Sequence, residues 1–377
     1  MRWHRLAAMA RKEVIQILRD KRSLFIVVIM PVVLMFLFGY GVSLDLKRIP
    51  VYVYDREGSQ QSQDLLQRFQ ASEYFIVLKS VDNYPELIRA IDTGRCYVGI
   101  VIPHDFSQRL VTGGPARVQA VVDATDDNTA NLVLGYTEAV VRGYSQAVQL
   151  DWLQRQGLPT RGPPLSVESR TWYNENLESQ AFIVPGVVAI VMAVIGTFLT
   201  SLTIAREWER GTMEQLISTP VTPLEVMVGK LLPYFAIGLF DTALCTTVAI
   251  GWFGVPFRGQ AVTLFASSAL FLVAVLSLGF FISVVGKSQL AANQASMVAT
   301  FLPVFLLSGF LFAIEQMPLP IQLFTHIVPA RYYVSLLKDV FLKGSPLNQL
   351  GPELAALAVF AVALATLATR IFQKKLN

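Results

Sequence analysis

The residues that could do chemistry are few, and most of them lie in one place. Between two long apolar runs the chain reads Arg206-Glu207-Trp208-Glu209-Arg210-Gly211-Thr212-Met213-Glu214-Gln215-Leu216-Ile217-Ser218-Thr219-Pro220. At 100° per residue Glu207, Arg210 and Glu214 fall within about 60° of one another, and Trp208, Thr212 and Leu216 form a separate stripe. This predicts a short helix with one face toward a membrane and an ionic face toward water. The chemistry such a face offers is docking by ion pairs.

A second candidate is Asp241, the one ionisable side chain inside an apolar run spanning 231–257. An acid there costs on the order of 3 kcal/mol to insert, which the surrounding Leu, Ile, Val and Phe cover. Energetics leaves two readings open, a packing or polar contact and a substrate or proton role. Asp123, Asp126 and Asp127 could hold a cation or form a turn with a helix cap.

Catalytic signatures are missing. The chain has no G-x-S-x-G and no Gly-rich phosphate loop; Gly286-Lys287-Ser288 approaches the Walker pattern, but Phe281 stands where its first Gly is required. His4, His104 and His326 are scattered, so a metal site has no support, and Cys96 and Cys245 cannot make a disulfide framework, from which no redox inference follows.

The elements that must position these residues are membrane spans. With 53% hydrophobic and 15% charged residues and a mean hydropathy of +0.49, a soluble enzyme or a disordered chain is excluded. Apolar runs long enough to cross a bilayer core occur at 23–44, 181–205, 231–257 (interrupted by Asp241), 261–286, 289–314 and 352–369. The first follows a basic segment without a small-residue cleavage site and is expected to be retained. With the N-terminus inside, the inner segments carry fourteen Lys and Arg and the short outer loops four. Both termini are therefore expected in the cytoplasm, and basic ends that flank apolar spans argue against nucleic-acid binding.

Residues 1–22 place Trp3, Leu6, Ala10, Val14, Ile17 and Leu18 on one stripe, opposite Arg5, Lys12, Gln16 and Arg19. That fits a helix lying in the interface; a plain basic anchor is the other reading. Residues 45–180 form an expected extracytoplasmic α/β domain. Its strands are read at 49–54, 75–79, 96–102 and 118–122 and its helices at 62–70, 84–92 and 106–111; a long helix capped by Asp127 or Asn128 runs to about Gln154, and 157–164 breaks it. Such a domain is expected to contact a partner or a substrate. Residues 315–351, apolar but broken by Pro329 and Arg331, suit a re-entrant or interfacial pair of helices on the outer face.

In order and on this topology, four segments resemble the membrane permease subunits of ABC-2 type exporters, those with a large domain between the first two spans. They are R-E-x-E-x-G-T-x-E-x-L-x-x-x-P at 206–220, continued through 222–230; the run 170–177, where Glu175 stands in place of an expected Pro; Pro329-Ala330-Arg331-Tyr332-Tyr333; and Leu342-Lys343-Gly344. The resemblance covers nearly the whole chain. It implies six membrane helices in a bacterial inner membrane, two permease chains enclosing a path, and separate ATP-binding subunits that hold ATP and Mg, leaving this chain without a cofactor. It implies export of a lipophilic small molecule, a drug or a lipid, with room for a periplasmic adaptor on 45–180. ATPase coupling falls on Glu207, Trp208, Glu209, Arg210, Gly211, Thr212, Glu214 and Gln215, with Glu209 and Gly211 setting the turn. The second and fifth spans line the path in this family, which adds Thr197, Thr200, Met297 and Phe301 to Asp241; Ala291, Ala295 and Ala299 permit close helix approach. A reading from another class is a membrane-anchored receptor or scaffold that does not transport. Secondary transport through Asp241 is weakened by the lack of a relay partner in the spans.

Overall fold

The computed structural model describes residues 3–42, 46, 48–112, 114–155, 173, 178–346 and 348–372. The break expected at 157–164 and, apart from Tyr173, the run 170–177 lie outside the described residues. The chain is mostly helical and divides into two compact units, Met1–Ser43 with Thr171–Asn377, and Leu44–Arg170.

The smaller unit alternates strands and helices: β1 (Ile49–Asp55), α3 (Gln60–Ala71), β2 (Phe75–Ser80), α4 (Tyr84–Asp92), β3 (Val98–Ile102), α5 (Phe106–Val111), β4 (Gln119–Val122) and α6 (Asp127–Arg155). The sheet order is β2-β1-β3-β4, with β1 parallel to β2 and to β3, and β4 antiparallel to β3. A central strand covered on both faces must be apolar throughout, and β3 reads VGIVI with every residue buried. Gly99 is required there, because a Cβ would sit 2.8 Å from the Leu87 side chain of α4. On the other face Leu65, Phe69, Phe106, Val133 and Tyr144 close the core, and the Tyr144 hydroxyl donates to the Gln61 carbonyl at 2.9 Å.

The acids before α6 form a turn and cap. Asp123 accepts from the Thr125 amide at 2.9 Å and from its hydroxyl, which hold its carboxyl below the usual range. The N-cap is Asp126, one residue earlier than expected: it accepts from the Thr129 amide at 3.2 Å, while Asp127 is already helical and accepts from Asn131 at 3.0 Å. Among the described residues no group of three or more His, Cys, Asp or Glu is placed to hold a metal ion.

The larger unit begins with α1 (Trp3–Arg19) and α2 (Lys21–Gly41). Then follow α7 (Ser179–Glu209), α8 (Met213–Ser218), α9 (Pro223–Gly251) and α10 (Ala261–Gly286). A fifth apolar stretch is α11 (Gln289–Ser296), a π-helical turn at Met297–Phe301 and α12 (Leu302–Leu307); after it come α13 (Leu319–Thr325), α14 (Pro329–Lys338), a second π turn at Asp339–Lys343 and α15 (Gly351–Ile371). Five helices among the described residues are long and apolar enough to cross a membrane: α7, α9, α10, the stretch Gln289–Leu307, and α15. In α2 the described apolar part is the shorter Val27–Gly41. The central α7 is the most buried, packed mainly on α10.

Two boundaries differ from expectation for local reasons. The fifth stretch ends at Leu307, not 314. Pro303 has no amide to offer Ala299, the preceding turn is wound as π, and Gly309 at φ +78° turns the chain away. The helix expected over 206–220 is divided: α7 runs on to Glu209, Gly211 at φ +69° breaks it, and α8 starts at Met213. By contrast, α9 starts where its sequence says it should. Thr222 and Glu225 form a reciprocal capping box, with bonds of 3.0 and 3.4 Å, and Pro223 takes the first position.

Candidate functional site

The charged segment lies where α7 ends, and three other helices, α1, α9 and α11, converge on it. Glu207 is only 5% exposed; its Oε1 accepts from Lys12 Nζ of α1 at 2.8 Å and from Lys230 Nζ of α9 at 3.0 Å, and the Thr212 hydroxyl closes onto its Oε2. Lys230, 1% exposed, also reaches Glu13 Oε2 at 3.2 Å and the Thr203 carbonyl at 3.4 Å. The Tyr234 hydroxyl donates to Glu13 Oε1 at 2.9 Å. Lys12, Glu13, Glu207 and Lys230 thus form a neutral set with its inner members out of water. Burial of three of these charges, Glu13, Glu207 and Lys230, is tolerable only because each is paired and hydrogen-bonded.

The N-terminal helix reaches this cluster because α9 is narrow where they cross. A Cβ on Gly229 would stand 2.7 Å from Met9 Cβ and 3.4 Å from the Leu6 carbonyl. Leu6, Glu13 and Ile17 therefore face α9, whereas Trp3, Val14, Ile15 and Leu18 stay exposed. The expected apolar stripe is thus shared between protein and surroundings. Arg5 of α1 donates to the Pro220 carbonyl, and Arg206 lies 3.9 Å from Asp20.

Glu209 ties the same turn to α11. It accepts from the Gln289 amide at 2.7 Å and from the Gln289 side chain, and these bonds hold its carboxyl below the usual range. Next to it Lys287, left-handed at φ +51°, lies over the Trp208 ring at 5.5 Å. Beyond Gly211, α8 buries Met213 and Leu216 and exposes Glu214 and Gln215; Arg210 is exposed as well.

The expected shared face of Glu207, Arg210 and Glu214 needs correction. The break at Gly211 puts Glu207 and Glu214 on different helices, and Glu207 points inward to neutralise Lys230. Glu13 and Lys230 were missed. Their signal was an acid sharing a helical face with Leu6 and Ile17, and a lysine heading an apolar run.

The residues expected to line a path are not brought together. Thr197 and Thr200 are fully buried against α10: Thr200 donates to the Gly196 carbonyl at 2.8 Å, and Thr197 to the Val275 carbonyl at 3.4 Å. A Cβ on Gly279 would collide with both. These two threonines pack against α10 in the single chain. Met297 is 63% exposed, and Phe301 stacks on Phe305 at 5.5 Å between ring centres. Asp241 is 1% exposed, and its Oδ1 has no hydrogen-bond partner among the described residues.

Long apolar helices packed around α7, with the concentrated charge at one end of it, define a multi-pass helical membrane permease. The chain belongs to the ABC-2 family of transporters: the family described as "ABC-2 family transporter protein" matches residues 21–370. Similar proteins include "Probable multidrug ABC transporter permease YbhS" of Escherichia coli K12, 41% identical over 91% of this chain and 90% of that one. "Probable multidrug ABC transporter permease YbhR" of the same organism is 27% identical over 99% of both. "Inner membrane transport permease YhhJ" is 26% identical over 97% and 96%. Family and helices together indicate a multi-pass inner-membrane protein. The family implies an ATP-binding subunit and a second permease as partners.

Proposed function

We propose that this chain is the permease half of an ATP-driven exporter of lipophilic small molecules, with α2 as the first of six spans. Both termini lie in the cytoplasm and 45–180 outside, where an adaptor can dock. ATP and Mg belong to the separate ATPase, whose groove takes the exposed side of the turn and α8: Arg210, Glu214 and Gln215. The relatives named multidrug permeases support the substrate class.

One observation carries this reading: Glu207, at the start of the docking turn, is bonded to both Lys12 of α1 and Lys230 of α9. A push on α8 cannot be absorbed by the turn alone, since moving it drags α7, α1 and α9, and Glu209 passes it to α11. Rigid elements joined by paired, desolvated charges have few intermediate arrangements, as an alternating path requires. Trp208 and Thr212 brace the turn, and Gly211 lets it form.

The second permease packs on the least covered face of the fifth stretch. Only 22% of that stretch is buried, and Ala291, Ala295 and Ala299 point outward beside Met297. The path then runs along Met297 and Phe301 between the two copies. Asp241, inside each copy, biases helix packing and does not touch cargo. Proteoliposomes holding this chain and its ATPase test the reading. Reversing Arg210 and Glu214 together should abolish ATPase co-purification and transport; retention of both would reject it.

A further inference from the structure

At the end of the bundle opposite the charged turn, a cavity of about 360 Å³ opens between the start of α7, the turn after α12, α14 and the start of α15. Six residues decide its chemistry: Phe182, Gly309, Glu315, Arg331, Lys338 and Glu353. Its two cations are held by neutral partners. Lys338 Nζ donates to the Gly309 carbonyl at 2.7 Å and sits over the Phe182 ring at 3.4 Å. Arg331 bonds the Thr325 hydroxyl and the Gln322 carbonyl, at 3.3 Å for the latter. Neither cation pairs with an acid within 4 Å, and Glu353 Oε2 is out of water with no hydrogen-bond partner among the described residues.

A buried carboxylate oxygen without a donor, in a cavity of ligand size, lacks a positively charged or hydrogen-donating guest. The fixed cations beside it can meet a negative group on the same guest. The cavity is at the ends of α7 and α15, hence at headgroup depth if these helices span. We propose that it binds the zwitterionic headgroup of an outer-leaflet phospholipid, with the ammonium on Glu353 and Glu315 and the phosphate facing Lys338 and Arg331. This rests on α7 and α15 being spans, and not on the coupling role of the charged turn.

The test is binding without ATPase. The purified full chain in detergent is titrated with dihexanoyl phosphatidylethanolamine, dihexanoyl phosphatidylglycerol and free phosphorylethanolamine, and bound species are counted by native mass spectrometry. One molecule of the ethanolamine lipid should bind at least tenfold more tightly than the glycerol lipid. Glu353→Gln should weaken it tenfold or more while leaving the glycerol lipid unchanged. Competition by phosphorylethanolamine at the lipid's own concentration would keep the headgroup chemistry and assign the site to a soluble zwitterion. Equal binding of both lipids, or full binding by Glu353→Gln, would overturn the proposal. Should that variant fail to fold, Glu315→Gln is read by the same criterion, and Lys338→Met, at the residue facing the phosphate common to both lipids, should weaken both; unchanged binding of both would overturn the proposal. Absence of transport by the wild-type chain with its ATPase, with lipid selectivity intact, would count against the proposed function alone.

Discussion

Lys230 Nζ, twenty-three positions along the chain from Glu207, stands 3.0 Å from its Oε1, and both side chains are almost fully withdrawn from water. Since Lys230 also holds Glu13 of α1, one ammonium fastens three helices. Lys230→Met leaves the buried Glu13 without a cation and Glu207 with Lys12 alone, a loss of about 3 to 5 kcal/mol. The double variant Lys230→Met with Glu207→Gln should recover part of it. Chemical unfolding in detergent, run as a double-mutant cycle, reads this as a positive coupling; strict additivity would mean that the pair does not interact.

Gly229 sets how closely α1 can approach. Gly229→Leu cannot fit beside Met9 and the Leu6 carbonyl without moving α1, so Glu13 must leave Lys230. Limited proteolysis should cut α1 faster in this variant while α9 and α10 stay protected. An unchanged cleavage rate would place the α1 contact elsewhere.

The α7–α10 contact makes a sharper packing prediction. A Cβ at 279 would lie 2.6 Å from the Thr197 carbonyl oxygen, backbone that cannot step aside. Gly279→Ala should therefore destabilise the bundle by about 1 to 3 kcal/mol, the range for overpacking a tight core. Thr200→Ala should relieve only the hydroxyl part of the clash. A wild-type melting temperature for Gly279→Ala would contradict this interface.

In the smaller unit, burial pushes the Cys96 thiol up from its ordinary value. The folded thiol stays protonated where an unfolded one, with a pKa of about 8.5, has begun to ionise. The group's contribution to stability is complete below that value and is lost as pH rises through the higher folded one. Maleimide labelling of Cys96 in a Cys245→Ala background should be slow at pH 8 and quicken on adding urea. Immediate labelling of folded protein would show the segment before β3 open.

The smaller unit was legible because its elements announce themselves locally. The run VGIVI reads as a strand covered on both faces, and Asn83 before Tyr84-Pro85 reads as a helix start. The long apolar helices were legible from apolar length, except where local residues overrode it, as Pro303 and Gly309 do at the end of the fifth stretch. The 206–220 segment was legible as a concentration of charge but not in its geometry. Period arithmetic assumes one continuous helix, and Gly211 ends it. The partners of Glu207 come from 195 and 23 positions away, distances at which periodicity carries no information.

The central claim is that the motion of a separate ATPase enters through α8 and leaves through Glu207. Co-reconstituted vesicles with wild-type or Glu207→Gln permease, assayed for ATP hydrolysis and cargo uptake in the same sample, test it directly. The account predicts that Glu207→Gln keeps the ATPase bound and hydrolysing while cargo moved per ATP falls at least tenfold. A Glu207→Gln permease that moves as much cargo per ATP as the wild type would contradict it.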